Sequence, residues 1–388
     1  MMQRQVSRSQ LEQANTNRAC TVTDSSLPPT AMVAGLEEGV SSSGHVGPMP
    51  FKDLAGVQEE DDGQDMSTPR EDDEYAGIIS ALPTATNRFR GLCQYQGAWM
   101  LHRTVAGVIS VQRRFVPRPG RGDVLLATPP KCGTTWVKAL SFATMARAAY
   151  PPSAGDHPLL RLNPHDCVPS MEGLFGAGRE AQLEVLPSPR LMHTHMHHAL
   201  LPPSLAHNPD CKIVYVCREP KDMMVSLWHF TKAIVTSGGR TYSFSDALEW
   251  TCEGKSPYGP FWDHLLGYWR ASKATPERVL FLKYEEMLAD QVSTTRELAR
   301  FLGVPFTAAE EAAGLPLDIT KLCSIDTMRG LDANKTGKSG QFFKFPNESF
   351  FRKGVVGDWV NHMTPEMADK VDAIVEEKLR GSGLTFTS

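Results

Sequence analysis

With 388 residues, 41% apolar content and a formal charge of −4, the chain can bury one large core or two modest ones and is not fibrous. The small charge and the lack of a Lys/Arg block leave no electrostatic footprint for a nucleic acid, so none is expected as a partner. Eight cysteines lie scattered without a C-x-x-C pair, which suits reduced thiols and argues against a cysteine zinc site.

Residues 1–75 hold 14 acidic against 5 basic side chains among many Ser, Gly and Pro. A segment so charged and so poor in apolar periodicity buries too little to repay its ordering entropy, and the reading is a disordered acidic extension. Its Arg and Ser content also fits a plastid transit peptide, but Glu12 and the acidic run from Glu59 to Asp65 oppose that. No run approaches the roughly 18 apolar residues of a spanning helix, and the N-terminus lacks the apolar core of a secretory signal. The expected location is the cytoplasm, with no membrane partner. Residues 76–388 are taken as one domain.

From Asp123 short apolar runs alternate with longer helical stretches, the pattern of a central parallel sheet flanked by helices, and the expected class is α/β. Asp123–Ala127 reads as a buried strand, 128–133 as a loop and Thr134 to about Ala149 as a helix. The loop carries Lys131-Cys132-Gly133-Thr134-Thr135-Trp136 at a strand-to-helix junction, where free backbone N–H groups and the helix dipole favour an anion. Its lysine precedes the glycine, so it departs from G-x-x-x-x-G-K-[ST].

Next in the chain, Arg190–His198 (R-L-M-H-T-H-M-H-H) reads as a short strand entering a loop. A neutral imidazole there suits general-base work near pH 7. His193, His195 and His197 alternate, so one strand face could instead build a metal site, but neither an HExxH helix nor a carboxylate at ligand spacing accompanies them. No metal is expected.

Lys212–Cys217 is a second buried strand, followed by a helix from Pro220 to about Val235. Arg218 therefore stands at the carboxyl edge of the sheet, where an arginine fork suits a phosphate, and Ser226 lies two turns into the helix. Val279–Leu282 is a third strand feeding a helix through Leu302, and further helices fit 243–254, 260–272 and 365–380. A basic turn, Arg352-Lys353-Gly354, precedes Gly357-Asp358-Trp359.

Together these motifs resemble the cytosolic sulfotransferase family, most of all its plant branch. K-C-G-T-T-W is similar to the family's 5′-phosphosulfate loop, R-E-P-K-D-x-x-V-S to its 3′-phosphate segment, T-H to its catalytic segment, and R-K-G-x-x-G-D-W to its C-terminal loop. The resemblance implies an α/β domain of sulfotransferase type and transfer of a sulfuryl group from 3′-phosphoadenosine 5′-phosphosulfate to a hydroxyl of a flavonoid, steroid or similar acceptor. It implies His195 as general base, with Lys131 and the backbone of Gly133, Thr134 and Thr135 on the phosphosulfate. Arg218, Ser226, Arg352, Lys353 and Gly354 would hold the 3′-phosphate. Trp136, Tyr284, Cys323, Ser324 and Ile325 would surround adenine, and Cys132 stands where the family often has a hydroxyl. Phe175, Phe230, Tyr258 and Phe261 would line the acceptor pocket. A monomer or weak homodimer, working without a metal, is expected.

Overall fold

Gln96 and Gly97 both take positive φ, 48° and 87°, the conformation of a two-residue turn that folds a strand back without splaying it. In the computed structural model, which describes residues 47–55, 74–86, 91–120, 122–235, 242–341 and 343–386, this turn joins Gly91–Tyr95 (β2) to Ala98–Leu101 (β3). Thr84–Thr86 (β1) pairs with the other side of β2. The chain divides into units 1–43 and 44–388, and every described residue belongs to the second.

The main sheet comprises Asp123–Ala127 (β4), Arg190–Thr194 (β5), Cys211–Cys217 (β6) and Val279–Lys283 (β7), in the order β5-β4-β6-β7 and parallel throughout. Side chains alternate across it. Leu125, Ala127, Ile213 and Tyr215 enter one apolar cluster with Val105, Val108 and Leu265, whereas Val124, Leu126, Val214 and Val216 enter another with Val137, Leu140 and Phe142. Helices thus cover both faces, which is why β4 and β6 read as continuous apolar runs without polar alternation.

Register decides where the chemistry can assemble. Ala127 is level with Thr194 on one side, so β4 and β5 end together, and with Tyr215 on the other, where β6 runs on two residues to Cys217. At the opposite end Arg190 sets two hydrogen bonds on Asp123, at 2.8 and 2.7 Å, both side chains about 1% exposed. A bidentate pair fixes that register more sharply than apolar contacts would, because a slip would leave the buried Asp123 carboxylate unpaired and Arg190 with Glu184 alone. The chain runs from β4 to β5 on one side and returns to β6 on the other, so a crevice opens above the carboxyl end of β4.

Two boundaries differ from the sequence reading. The helix expected to run through Leu302 breaks into Tyr284–Ala289 and Gln291–Phe301, because Asp290 turns out of helical geometry and its carboxylate caps the second piece through Ser293 N–H at 3.0 Å. Residues 47–55, read as part of the disordered extension, pack on the domain: Phe51 is 2% exposed, Lys52 lies 3.5 Å from Asp166, and Asp53 pairs with Arg161 at 3.0 Å. One aromatic side chain with two flanking charges anchors there, too short a signal to show as periodicity. The rest of the expected extension, apart from Glu74 and Tyr75, lies outside the described residues.

Candidate active site

The loop leaving β4 bends hard before its helix begins. Lys131 takes φ 68° and Gly133 φ 92°, and left-handed backbone at a non-glycine residue is a strain that binding sites often carry. At Gly133 the need for glycine is steric as well, since a Cβ there would lie 2.9 Å from the Tyr284 ring. Thr134 and Thr135 open the Thr134–Ala146 helix. The Lys131 ammonium rests 4.0 Å from the centre of the Phe230 ring. Burial first, then the charges of Arg218 and Arg352, bring its pKa down to about 7. Three basic groups, of which Arg218 lies 3.6 Å from Asp222 and Arg352 pairs with Asp358, gather at a place suited to a polyanion.

One strand over, β5 delivers His195 beside this loop. Its Nδ1 donates to the Thr128 carbonyl at 2.7 Å, which fixes the proton on Nδ1 and leaves the Nε2 lone pair unused. Burial lowers its pKa, only partly opposed by Glu172 and by that carbonyl, so the ring is neutral at physiological pH. Glu172 accepts from the His195 backbone N–H at 2.8 Å, the Thr194 hydroxyl at 2.9 Å and the Tyr258 hydroxyl at 3.2 Å. From beneath, His264 donates Nε2–H to the His195 carbonyl at 3.0 Å while accepting from Tyr215 at 3.1 Å, and Tyr268 holds the Met196 carbonyl at 2.9 Å. His197 turns away to donate to the Tyr258 carbonyl at 2.9 Å. His193 Nε2 lies 3.3 Å from the Thr128 hydroxyl, so His193 and His195 share that residue while His197 does not, and among the described residues no group of three His, Cys, Asp or Glu is arranged to hold a metal.

Beyond β6, Arg218 stacks on Tyr284 at 4.6 Å and donates to the Val355 carbonyl at 2.8 Å. Its Nε is buried without a partner, and so is Nε of Arg352. Such orphans are costly unless a ligand completes them. Asp222 draws the C-terminal loop to this place by accepting from Gly357 N–H at 2.7 Å and Trp359 N–H at 3.0 Å. Arg352 and Lys353 both reach Asp358, the latter at 2.6 Å. Burial works against that carboxylate, but the bonds from Lys353, Arg352 and Asn361 outweigh it and hold its pKa well below the usual range. Ser226, Arg218, Arg352, Lys353 and Gly354 line one cavity with Lys131, Gly133, Thr135 and His195.

That cavity measures about 690 Å³. Trp136 meets Tyr284 edge-on at 5.5 Å, and Trp136, Tyr284, Ser324 and Ile325 share its wall, with Ile325 seated so close over Gly354 that a Cβ there would lie 2.4 Å from its Cδ1. Four sequence expectations need correcting. Cys132 and Cys323 are fully buried and absent from the cavity wall, the Cys132 N–H donating to the Pro129 carbonyl at 3.3 Å, and burial raises both thiols. Phe175 packs on Phe115 at 6.3 Å, and Phe261 on Trp262 at 5.4 Å, both inside the core. Phe230 and Tyr258 do line the cavity, joined by Phe343, Phe345 and Phe350. Those phenylalanines, with Glu172, Lys138, His165 and His264, escaped the sequence reading. Lys138 and its spacing from Thr134 on one helix face were the only signal available.

Known proteins resemble this chain throughout the same region. Residues 121–383 match the sulfotransferase domain family. The chain is 44% identical to cytosolic sulfotransferase 5 of Arabidopsis thaliana over 320 residues, 81% of this chain and 97% of that protein. It is 41% identical to cytosolic sulfotransferase 12 of the same plant, over 81% and 94% of the two. Among solved structures it is similar to an Arabidopsis thaliana "putative steroid sulphotransferase" at 36% identity and TM-score 0.66, over 83% of this chain and 100% of that one. Mouse sulfotransferase SULT7A1, complexed with PAP, is 28% identical with a TM-score of 0.59, over 75% and 96%.

Proposed function

This chain belongs to the sulfotransferase family, and from that premise we propose that it transfers the sulfuryl group of 3′-phosphoadenosine 5′-phosphosulfate to the hydroxyl of a flavonoid, steroid or similar small acceptor, with His195 as general base. Use of that donor is supported by the residues present: two orphaned guanidinium nitrogens, a group of basic side chains and a glycine under the Tyr284 ring border one cavity and suit two phosphates. The donor supplies an activated sulfur–oxygen bond whose leaving group is a phosphate oxygen.

His195 carries this reading. With its Nδ1 proton committed to Thr128 at 2.7 Å, Nε2 takes the acceptor's hydroxyl proton as that oxygen attacks sulfur. Lys131 and the amides of residues 133–135 meet the charge that develops on the leaving side, so the work is positioning and electrostatics. A sulfuryl group bears less negative charge than a phosphoryl group, so less neutralisation is asked of the site. Aromatic walls from Phe230, Phe343 and Phe345 suit a flat apolar acceptor. No helix among the described residues is long and apolar enough to cross a membrane. Relatives bear the name cytosolic, which favours a cytosolic enzyme here.

The test uses His195→Asn, whose amide can keep the Thr128 bond while lacking a base. Turnover of the best acceptor from a phenol and steroid screen should fall by about a thousandfold. The Kd for adenosine 3′,5′-bisphosphate should stay within about twofold, since the base need not touch the donor. Near-normal turnover would refute the role of His195, and absence of any turnover by the unaltered enzyme with all acceptors would refute the substrate class.

A further inference from the structure

Thr134 and Thr135 are adjacent in the cradle, yet their hydroxyls are committed differently. Thr134 Oγ1 shares a hydrogen bond with Thr128 Oγ1 at 2.7 Å, inside the protein. Thr135 lines the cavity, and its Oγ1 lies 3.0 Å from Nε2 of His165. The other ring nitrogen of His165, Nδ1, lies 3.1 Å from Nζ of Lys138, which is 1% exposed and also donates to the Val168 carbonyl at 3.0 Å. Neither Lys138 nor His165 has a place in the transfer described above.

Burial brings Lys138 to about 7, with Glu172 and Asp166 favouring its charged form, and an anion in the cradle favours that form further. With Lys138 charged, the ammonium offers only hydrogens, so Nδ1 of His165 must accept. Burial, followed by the charge of Lys138, pushes the His165 pKa well below its usual value, and the neutral ring carries a single proton. That proton is therefore on Nε2, and Thr135 Oγ1 accepts it. Its own hydrogen is then free to point away from His165 into the cavity. The ring cannot easily turn to undo this: it stacks on Phe350 at 4.1 Å, and the Asn163 side chain holds its backbone N–H at 3.0 Å.

We propose that Lys138 and His165 form a buried positioning relay that fixes the Thr135 hydroxyl as a donor to the anion held in the Lys131–Thr135 cradle. The relay rests on the reading of that cradle as the 5′-phosphosulfate site. Both residues border the same cavity and act on the anion through Thr135. A hydroxyl that must first rotate away from an acceptor loses part of its bond to an anion, and the relay removes that competition before binding.

Calorimetry on the full chain with two probes isolates the effect: adenosine 3′,5′-bisphosphate, and adenosine 3′-monophosphate, which lacks the 5′ anion. Thr135→Val should weaken the bisphosphate by about tenfold, His165→Phe by about threefold because it leaves the hydroxyl present but unoriented, and the double variant by no more than Thr135→Val alone. The 3′-monophosphate should bind all variants within about twofold of the unaltered enzyme. His165→Gln, which keeps an N–H near the Nε2 position, should recover most of the loss. If His165→Phe does not fold, Lys138→Met serves instead, with a loss of about threefold that vanishes in the Thr135→Val background. Additive losses of about thirtyfold, equal losses for both probes, or no effect of the relay variants would overturn the relay. Equal binding of both probes by the unaltered enzyme would overturn the 5′ cradle reading together with the relay.

Discussion

Binding of a nucleotide polyanion should draw a proton from solvent onto Lys131. In the ligand-free site burial, Arg218 and Arg352 bring this ammonium to about 7, with Cys132 opposing weakly. An anion seated against it reverses the two repulsive contributions and returns the pKa toward its ordinary value near 10.4. At pH 7.5 a group of pKa 7 is about one-quarter protonated when free and almost fully protonated when bound, so about 0.8 proton should be taken up per nucleotide. The sign follows from the shift: the folded, ligand-free pKa is depressed, so affinity is full below pH 7 and falls by up to about tenfold per pH unit as pH rises above it. Titration of adenosine 3′,5′-bisphosphate in HEPES and in Tris, which differ in ionisation enthalpy, reads the uptake directly. Lys138, also brought to about 7 by burial, adds to the uptake as far as the anion reaches it. Lys131→Met should therefore remove about 0.8 proton and leave any share of Lys138. Identical apparent enthalpies in the two buffers, or proton release, would refute the reasoning.

Arg218→Ala should erase most of an expected hundredfold or greater preference for adenosine 3′,5′-bisphosphate over adenosine 5′-monophosphate, since charge-assisted bonds contribute roughly 1.5–3 kcal/mol each. Equal affinity of the unaltered protein for the two nucleotides would overturn the 3′-phosphate site. Asp123→Asn leaves the buried Arg190 guanidinium with only the exposed Glu184 carboxylate as counter-charge and should cost about 3 kcal/mol in denaturant unfolding; a loss below about 1 kcal/mol would show that the pair does not hold the β4–β5 register. Deleting residues 1–46 should shift the melting temperature by less than about 2 °C, whereas Phe51→Ala should cost about 3 kcal/mol. A neutral Phe51→Ala would mean that the anchor contributes little.

The strands of the main sheet were legible in the sequence because burial on both faces leaves an unmistakable composition: D-V-L-L-A and K-I-V-Y-V-C carry no polar alternation. The cradle was legible for a related reason. Backbone amides at a strand-to-helix junction need glycine and small hydroxyl residues in a fixed order, and a lysine among them has no structural task. Arg218 and Arg352 could be assigned to one phosphate only through the family resemblance, since 134 positions separate them in the chain. It is Asp222, binding the amides of Gly357 and Trp359, that brings their segments together.

What sequence could not reveal depends on side chains meeting across elements. Phe175 and Phe261 have the composition of a pocket wall, but each faces the core, and nothing local tells an inward aromatic from one that faces a cavity. Glu172 stands 23 positions before His195 and holds its backbone; His264 stands 69 positions after it and holds its carbonyl. The chain order of residues determined which chemical groups would emerge at the carboxyl edge of the sheet. Only packing decided their protonation and aim, because a tautomer and a pKa follow from the hydrogen bond and the burial that each ring receives from distant segments.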